Sequence, residues 1–419
     1  MALLLAIAPP AGAAGFAIFE QGSNSMGMAM AFTAQADDPS AMFHNVGGLG
    51  FFEERSFMVG VTFISLGDSQ FQGAAPSPGP GVTGEQTDRI LVPPHFYWVE
   101  PLGDQHRWTF GLGLNAPFGL ATEWEDPDQW SGRFISEKAE LRAFDLNPSL
   151  AWRASDRFAL GLGVVVRVSD VELKNRSATL NPFTMSFVEI AKTRLTSDMD
   201  NGVGFNLGLL HRATDRFSWG LSYRSKIEID YSGDARLTQV LTGDPVFDAI
   251  VAATTPFDQN LPIETAIEFP DMASLGFAYR FTDSLLGEAD LNWTGWSSFD
   301  TLDIVFPDNP GFDESLVEEW EDVNNYRFGL RWTVSDRSEW RFGFYIDETP
   351  QPEASVSPLL PDADRNGYTV GYGHTFGDVH ADFTLLYVDF KNRTTANNRD
   401  NFNGAYQTKV WLLGTSIRW

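Results

Sequence analysis

The chain ends on Lys409-Val410-Trp411-Leu412-Leu413-Gly414-Thr415-Ser416-Ile417-Arg418-Trp419, an alternating run that stops on an aromatic residue. In an extended strand successive side chains point to opposite faces. Trp411, Leu413, Thr415, Ile417 and Trp419 therefore share one face, and Val410, Gly414, Ser416 and Arg418 the other. The closing strand of a transmembrane β-barrel has this form: it completes the sheet, turns apolar side chains to lipid and sets an aromatic ring at the membrane interface. The first expectation is a membrane-spanning cylinder, and the functional question becomes what crosses it.

Composition agrees with that expectation. The 34 Phe, 13 Trp and 10 Tyr can furnish aromatic girdles, and the 38 Gly can furnish small lumen-facing positions. The chain has no Cys, which excludes a disulfide framework and thiolate metal sites. No run of ~18 apolar residues appears, so helical spanning is excluded. A net charge of -27 leaves no basic stripe to neutralise phosphates, which argues against nucleic acid, and it gives no long-range pull on anionic ligands. The acidic side chains read as solubilising long surface loops. At the front, Leu3-Leu4-Leu5-Ala6-Ile7-Ala8 and Ala11-Gly12-Ala13 have the apolar core and cleavage site of a secretory signal, without its positive n-region. Residues 1–13 are read as the remnant of a signal peptide, with the mature chain beginning near Ala14; an apolar N-terminal strand is the competing reading.

From about Arg55 onward, two-residue alternation recurs in block after block. Tyr326, Phe328, Leu330 and Trp332 oppose Arg327, Gly329 and Arg331; Trp340, Phe342, Phe344 and Ile346 oppose Arg341, Gly343 and Tyr345. A soluble sandwich has the same period, so the connections must decide. Short turns of one flavour, such as Ala154-Ser155-Asp156-Arg157 and Val334-Ser335-Asp336-Arg337, alternate with long connectors near 68–90, 116–140, 174–197, 236–267, 303–322, 349–366 and 392–405. That asymmetry belongs to an outer-membrane barrel with tight periplasmic turns and extended outer loops. Strands are expected near 55–67, 91–100, 107–115, 141–153, 158–173, 198–212, 217–235, 268–281, 285–302, 323–333, 339–348, 367–376, 379–391 and 406–419. Fourteen is even, as an antiparallel barrel with both ends on the periplasmic side requires. Residues 14–54 precede the wall, and Phe16, Ile18, Phe19, Met26, Met28, Met30 and Phe32 make them too apolar for a tail in water. The reading is an all-β, 14-stranded antiparallel transmembrane barrel over 55–419 with a hatch, 14–54, folded into its lumen.

From Ala14 to Trp419 the chain resembles the FadL-type long-chain fatty-acid and hydrocarbon transporters of Gram-negative outer membranes. Ala14-Gly15-Phe16 is similar to that family's mature start, and Ala36-Asp37-Asp38 to the close of its hatch segment. Asn115-Ala116-Pro117-Phe118-Gly119-Leu120 with Thr122-Glu123-Trp124, Asn147-Pro148-Ser149-Leu150-Ala151, Ser222-Tyr223-Arg224-Ser225-Lys226, Trp296-Ser297-Ser298-Phe299 and Pro361-Asp362-Ala363-Asp364-Arg365 follow in family order and spacing. One departure stands out: the family's Asn-Pro-Ala is Asn45-Val46-Gly47 here, which replaces a stiffening proline by a freer pair. In the family this motif lies beside an inward kink of the third strand that opens the wall sideways. Pro117, which has no N–H to donate, is the nearest device in this sequence for breaking that ladder.

The resemblance implies passive outer-membrane uptake of hydrophobic compounds, foremost long-chain fatty acids. Aromatic or alkane hydrocarbons in the same fold are the alternative, and a general water-filled porin is the more distant one. An acyl chain gains ~0.8 kcal/mol per methylene removed from water, so capture needs apolar surface above all. The resemblance places first capture between the loops carrying Phe183, Met185, Phe187 and Val188 and those carrying Val246, Phe247, Ile250 and Phe257; packing of loop on loop is the plain alternative. The resemblance also implies a deeper, tighter pocket against the mature N-terminus, where Phe16 is the residue carried over. Its displacement would shift the hatch before sideways exit. Period-two parity turns Arg167, Arg224, Lys226, Arg327, Arg331 and Arg341 inward, beside Asp145, Glu228, Glu288 and Asp290. Arg167 and Arg327 are the candidates to meet a ligand carboxylate, the rest reading as ion pairs of a polar lumen. No Gly-x-Ser-x-Gly elbow or His-Glu-x-x-His pair is present, and the calcium-like start at Asp362-x-Asp364-x-Asn366-Gly367 reaches Gly373 where a Glu is needed. The expectation is a transporter, not an enzyme, without cofactor or metal. Its partners are a fatty acid or other hydrophobic small molecule, outer-membrane lipid and lipopolysaccharide, with no nucleic acid and a monomeric state.

Overall fold

In the computed structural model, which describes residues 15–67 and 69–419, the first and last alternating segments pair with each other. The signal-peptide reading of 1–13 lies outside the described residues. Strand β1 (Ser56–Ser65) runs antiparallel to the final strand, Lys409–Arg418, from Met58↔Arg418 to Ser65↔Trp411. Between them follow β2 (Pro94–Leu102), β3 (Trp108–Glu123), β4 (Lys138–Ser155), β5 (Phe158–Asn181), β6 (Ser186–Ser197 continuing as Asp200–His211), β7 (Phe217–Arg224 continuing as Ile227–Gln239) and β8 (Asn260–Phe269 continuing as Met272–Thr282). Then come β9 (Leu285–Thr294), β10 (Val323–Ser335), β11 (Ser338–Asp347), β12 (Arg365–Phe376), β13 (Val379–Phe390) and β14, the closing strand. These form a closed antiparallel barrel of 14 strands. Closure leaves no open edge in lipid.

The alternation sorts as expected. Trp411, Leu413, Ile417 and Trp419 are exposed on the outer face of β14, while Val410, Leu412, Gly414 and Ser416 are buried. Trp419 stacks on Phe57 at 5.8 Å, and Phe57 on Trp98 at 6.1 Å, an aromatic girdle at the periplasmic end. Phe96, Leu150, Leu162, Phe205, Leu221, Phe328, Phe342 and Phe383 continue the outward apolar belt around the barrel.

Two features depart from simple alternation. The connectors expected at 174–197 and 236–267 are largely strand: β5 and β6 rise as a long hairpin to a tip at 182–185, and between β7 and β8 sits the outer-loop helix α1 (Pro245–Thr254). Above the lipid the same pairing continues with polar side chains on the outer face. Second, β6, β7 and β8 each break for two residues, at 198–199, 225–226 and 270–271, the last two side by side, and parity resets at each. Lys226 and Glu228 therefore do not face the lumen. Lys226 is exposed and pairs with Glu268 at 2.8 Å, Glu228 is exposed, and Ile227, Ile229 and Tyr231 are buried in their place.

The bore is filled by the N-terminal segment. Two short helical turns, Ser23–Gly27 and Ala41–His44, and a 3-10 turn, Val46–Phe51, are buried almost throughout. Wall glycines let the two backbones touch: a Cβ on Gly161 would stand 2.4 Å from the Val46 carbonyl oxygen, and one on Gly220 2.2 Å from that of Thr33. Wall side chains then bond the hatch backbone. Asp290 accepts from the Phe32 and Thr33 amides at 3.0 Å, and Glu288 from the Ala34 amide at 2.5 Å and the Gln35 side chain at 2.7 Å. Arg224 donates to the carbonyls of Met42 and Phe43, Arg327 to that of Ala29 and Thr384 to that of Ser23.

Candidate functional site

The third strand is where the wall and the hatch meet differently. β2 and β3 pair from Leu102↔Trp108 to Phe96↔Leu114 and then part. On its other side β3 skips register between Asn115 and Phe118, so Ala116 and Pro117 stand outside the ladder. Proline supplies no donor there, and the one-residue offset, with Ala116 and Pro117 facing Phe144 alone, bends the strand. The edge so exposed is covered by the N-terminal segment. The Ile18 amide donates to the Pro117 carbonyl at 2.8 Å, the Gly119 amide to the Phe16 carbonyl at 3.0 Å, and Gln21 bonds Ala116 through both amide atoms, at 2.7 and 3.2 Å. Residues 16–18 thus take the place of a neighbouring strand.

Phe16 points from this short pairing into a cluster of rings. Trp296 lies at 4.7 Å, Phe299 at 5.5 Å, Trp320 at 5.7 Å, Phe118 at 6.0 Å and Phe269 at 6.3 Å between centroids, mostly edge to face. Gly15 makes the approach possible, because its φ of +58° suits glycine and a Cβ would meet Trp320 at 2.6 Å.

Beside the box, under the parted strands, lies an inner cavity of about 170 Å³. Ile18, Ile64, Leu91, Leu120, Phe390 and Leu412 give it an apolar wall, and Glu20, Tyr345, Asp362 and Arg365 a polar end. Farther out, a cleft of about 240 Å³ opens among the outer loops between Phe134, Leu173, Ile304 and Leu316. Leu359 lines the cleft and Leu360 the inner cavity, so the two adjoin across the aromatic box. A larger hollow of about 740 Å³, walled by Trp108, Leu150, Leu162 and Leu207, faces outward on the apolar belt and belongs to the lipid.

The site residues named from sequence are distributed as follows. Phe16 is at the centre of the box. Arg167 is buried beside it, with its guanidinium 4.4 Å above Phe118 and 4.7 Å above Phe269, and both its Nε and one terminal nitrogen bond Asp145, at 2.7 and 2.9 Å. Arg327 is buried, pairs with Asp347 at 3.3 Å and lies over Phe19 at 4.5 Å. Phe183, Met185 and Phe187 stand exposed at the hairpin tip, with Val188 partly buried below them. On α1, Val246 and Ile250 face outward while Phe247 is buried; Phe257 packs on the cluster of Leu195, Leu237 and Ile304. Asn45, Val46 and Gly47 lie against β5 and β6. The Asn45 amide donates to Thr33 and Leu209 carbonyls at 2.7 and 2.9 Å, and Gly47 meets the Gly208 backbone. The neighbours of Pro117 are Phe16 to Gln21, so the hatch motif and the proline are not brought together.

Sequence reasoning missed Arg365, Glu20 and Trp320. Trp320 carried the one usable signal, a lone indole in the acidic stretch Glu318-Glu319-Trp320-Glu321-Asp322 that has no solvent reason to be there.

The family model described as outer membrane protein transport protein (OMPP1/FadL/TodX) matches residues 4–419. A long-chain fatty acid transport protein of Escherichia coli is 24% identical over 449 residues, covering 99% of this chain and 96% of its own. Among solved structures, a Pseudomonas aeruginosa FadL homologue superposes with a TM-score of 0.83 at 23% identity, over 97% of this chain and 99% of that one. The Ralstonia pickettii toluene transporter TbuX gives 0.69 at 18% identity, over 96% and 100%.

Proposed function

The chain belongs to the OMPP1/FadL/TodX family of outer membrane transport proteins, carriers of hydrophobic compounds across the Gram-negative outer membrane, and on that premise we propose that its cargo is long-chain fatty acids, moved passively. Residues 14–54 act as the hatch and 55–419 as the barrel, a monomer set among outer-membrane lipid and lipopolysaccharide. Cargo first meets the apolar tips around Phe183, Met185, Phe187, Val246 and Ile250, then the outer cleft, then the cavity beside Phe16. Displacing Phe16 withdraws residues 16–18 from β3, and the cargo leaves sideways past Ala116 and Pro117. A hydrophobic molecule sent down a watery channel would lose what capture gained, so exit into lipid is the favourable direction.

The observation that carries this reading is that one segment does two jobs: Phe16 fills the aromatic box, and the backbone on either side of it closes the unpaired edge of β3. A ligand that competes for the box therefore acts on the wall. Uptake of labelled oleate, compared with toluene, in cells lacking their own transporter tests it. Removing residues 14–18 should abolish most uptake while the barrel still assembles; unchanged uptake sinks the mechanism. Five rings around Phe16 favour a second reading, an aromatic hydrocarbon as cargo, which predicts toluene entering faster than oleate.

A further inference from the structure

At the periplasmic mouth the hatch and the wall leave two connected hollows. The larger, about 540 Å³, lies between Gln35 and Asp37 of the hatch and the turns that carry Arg157, Arg212 and Arg216. The smaller, about 230 Å³, shares Asp37, Arg280, Leu286 and Arg331 with it and adds Glu339 and Arg418. Every lining cation is an arginine.

The charges there are unevenly matched. Each lining carboxylate is already engaged: Asp37 by Arg331 at 2.8 Å, Asp215 by Arg157 at 3.0 Å, Asp156 by Arg153 at 3.8 Å, and Glu339 by Arg341. Among the described residues, Arg212, Arg216, Arg280 and Arg418 form no ion pair and their guanidinium groups make no hydrogen bond. The carboxylates that face them from behind are taken as well. Glu53, toward Arg212, bonds Arg153 at 3.1 Å; toward Arg418, Asp38 is held by Asn24 and Ser40 and Asp382 by Arg341. Four guanidinium groups are therefore open at one end of a chain whose net charge is -27.

The hatch itself helps to set these groups. Arg212 lies 3.9 Å over the ring of Phe51, and Asp37 draws Arg331 inward. Asp37 also shows what the mouth accepts, a carboxylate carried on a chain segment, which suits the planar fork of a guanidinium. Arg212 and Arg216 line only the larger hollow and Arg418 only the smaller, so one small anion does not reach all four. A row of carboxylates does. The acidic remainder of the chain repels such a row, which directs it to this end.

We propose that the periplasmic mouth is a docking site for a periplasmic protein that presents an acidic segment, its carboxylates paired with Arg212, Arg216, Arg280 and Arg418. The site lies on the side of the hatch away from the cargo cavity, and the inference goes beyond the uptake reading without depending on the cargo.

The purified full barrel in detergent, titrated with a labelled oligoglutamate peptide and followed by fluorescence anisotropy, tests this. The peptide should bind at low salt and be released as salt screens the pairs. Replacing the four arginines together by glutamine should weaken binding at least about tenfold, each exposed pair being worth roughly twofold to fivefold. Arg194→Gln, an exposed arginine of the outer hairpin, should leave binding unchanged. In the parent, bound peptide should protect Arg212, Arg216, Arg280 and Arg418 from phenylglyoxal, read by mass spectrometry, and leave Arg194 reactive; this readout needs no variant to fold. Absence of binding at low salt, undiminished binding in the four-arginine variant, or protection confined to other arginines overturns the inference. Displacement of the peptide by inorganic phosphate, where sodium chloride of equal ionic strength fails to displace it, also overturns it and assigns the mouth to a small anion. None of these outcomes touches the uptake reading.

Discussion

The two ends of the bore are stoppered by the same segment but by different forces. Toward the periplasm, residues 23–50 are fixed by wall side chains bonded to hatch backbone, with carboxylates of Asp290 and Glu288 taking four donors between them. Toward the outside, residues 15–21 are held by ring packing, two backbone bonds to β3, one glutamine, and the hydroxyls of Thr62 and Tyr97, which donate to the Glu20 and Gln21 carbonyls at 3.0 and 2.8 Å. Bonds from amides to buried carboxyl acceptors are directional and have one satisfactory arrangement, whereas aromatic packing can be replaced by any apolar molecule of similar size. The difference teaches that opening need not expel the plug. On the proposed route, ligand frees the outer seven residues while the inner part continues to exclude water and ions.

Breaking the inner end should have the largest effect. Asp290→Asn combined with Glu288→Gln removes both carboxyl groups that hold the hatch amides, each such bond contributing roughly 0.5–3 kcal/mol. The expected result is a barrel that assembles but leaks, seen as a steady ion conductance in planar bilayers where the parent is closed. Parent-like conductance in the double variant would show that glycine-to-backbone contacts alone hold the hatch.

Breaking the outer end should leave the seal intact. Phe16→Ala deletes the ring at the centre of the box, a change of about 3–5 kcal/mol in buried packing, and Gly15→Val places a side chain where Trp320 stands, at a φ of +58°. Both variants should lose most ligand binding with no rise in conductance. A leak as large as that of the acid-pair variant would mean that the two ends act as one body, and the comparison would fail.

How much of this could be read from sequence follows the same division. The wall was legible because lipid outside and hatch inside impose opposite demands on neighbouring residues, so period-two alternation in Trp411, Leu413 and Ile417 against Val410 and Leu412 is written directly into the chain. Strand count and turn order came with it. Parity was not legible past Ser225, because a two-residue break carries no marker and turned Lys226 and Glu228 outward. Phe16 was found through its place at the mature start. Its box was not, since Phe118, Phe269, Trp296 and Trp320 come from elements far apart in sequence and meet only after closure. Arg167 and Arg327 were named for the right face, and Asp145 and Asp347, which occupy them, are visible only in three dimensions.

A smaller effect sharpens the wall side of the comparison. Gln21 satisfies the Ala116 amide and carbonyl that the register skip in β3 leaves without a strand partner. Gln21→Ala should cost about 1–3 kcal/mol locally. Amide exchange should rise at 116–119 and not at 32–35, where the acid pair holds. Equal protection in both segments would show that Phe16 and Ile18 suffice.

The smallest effect is a pH dependence confined to the outer end. Glu318 is buried beside the box, and burial pushes its carboxyl up to about 7, against the indole bond from Trp320, which favours the charged form. A carboxyl whose pKa is higher folded than unfolded binds more protons in the folded state through the interval between the two values. Its contribution is therefore complete below the usual carboxylate range and is lost as pH rises through about 7, with roughly 3 kcal/mol as the upper bound over the whole interval. Trp320 should then loosen between pH 5.5 and pH 8, seen as faster amide exchange over 316–322 and in the fluorescence difference between the parent and a Trp320→Phe variant. Glu318→Gln, neutral at every pH, should flatten that profile. The Ser23–Gly27 turn, bonded by Thr384 and Ser416, should show no matching change over the same interval, because Glu318 touches the ring cluster and not the inner hatch; parallel loosening at both ends would couple what the geometry separates.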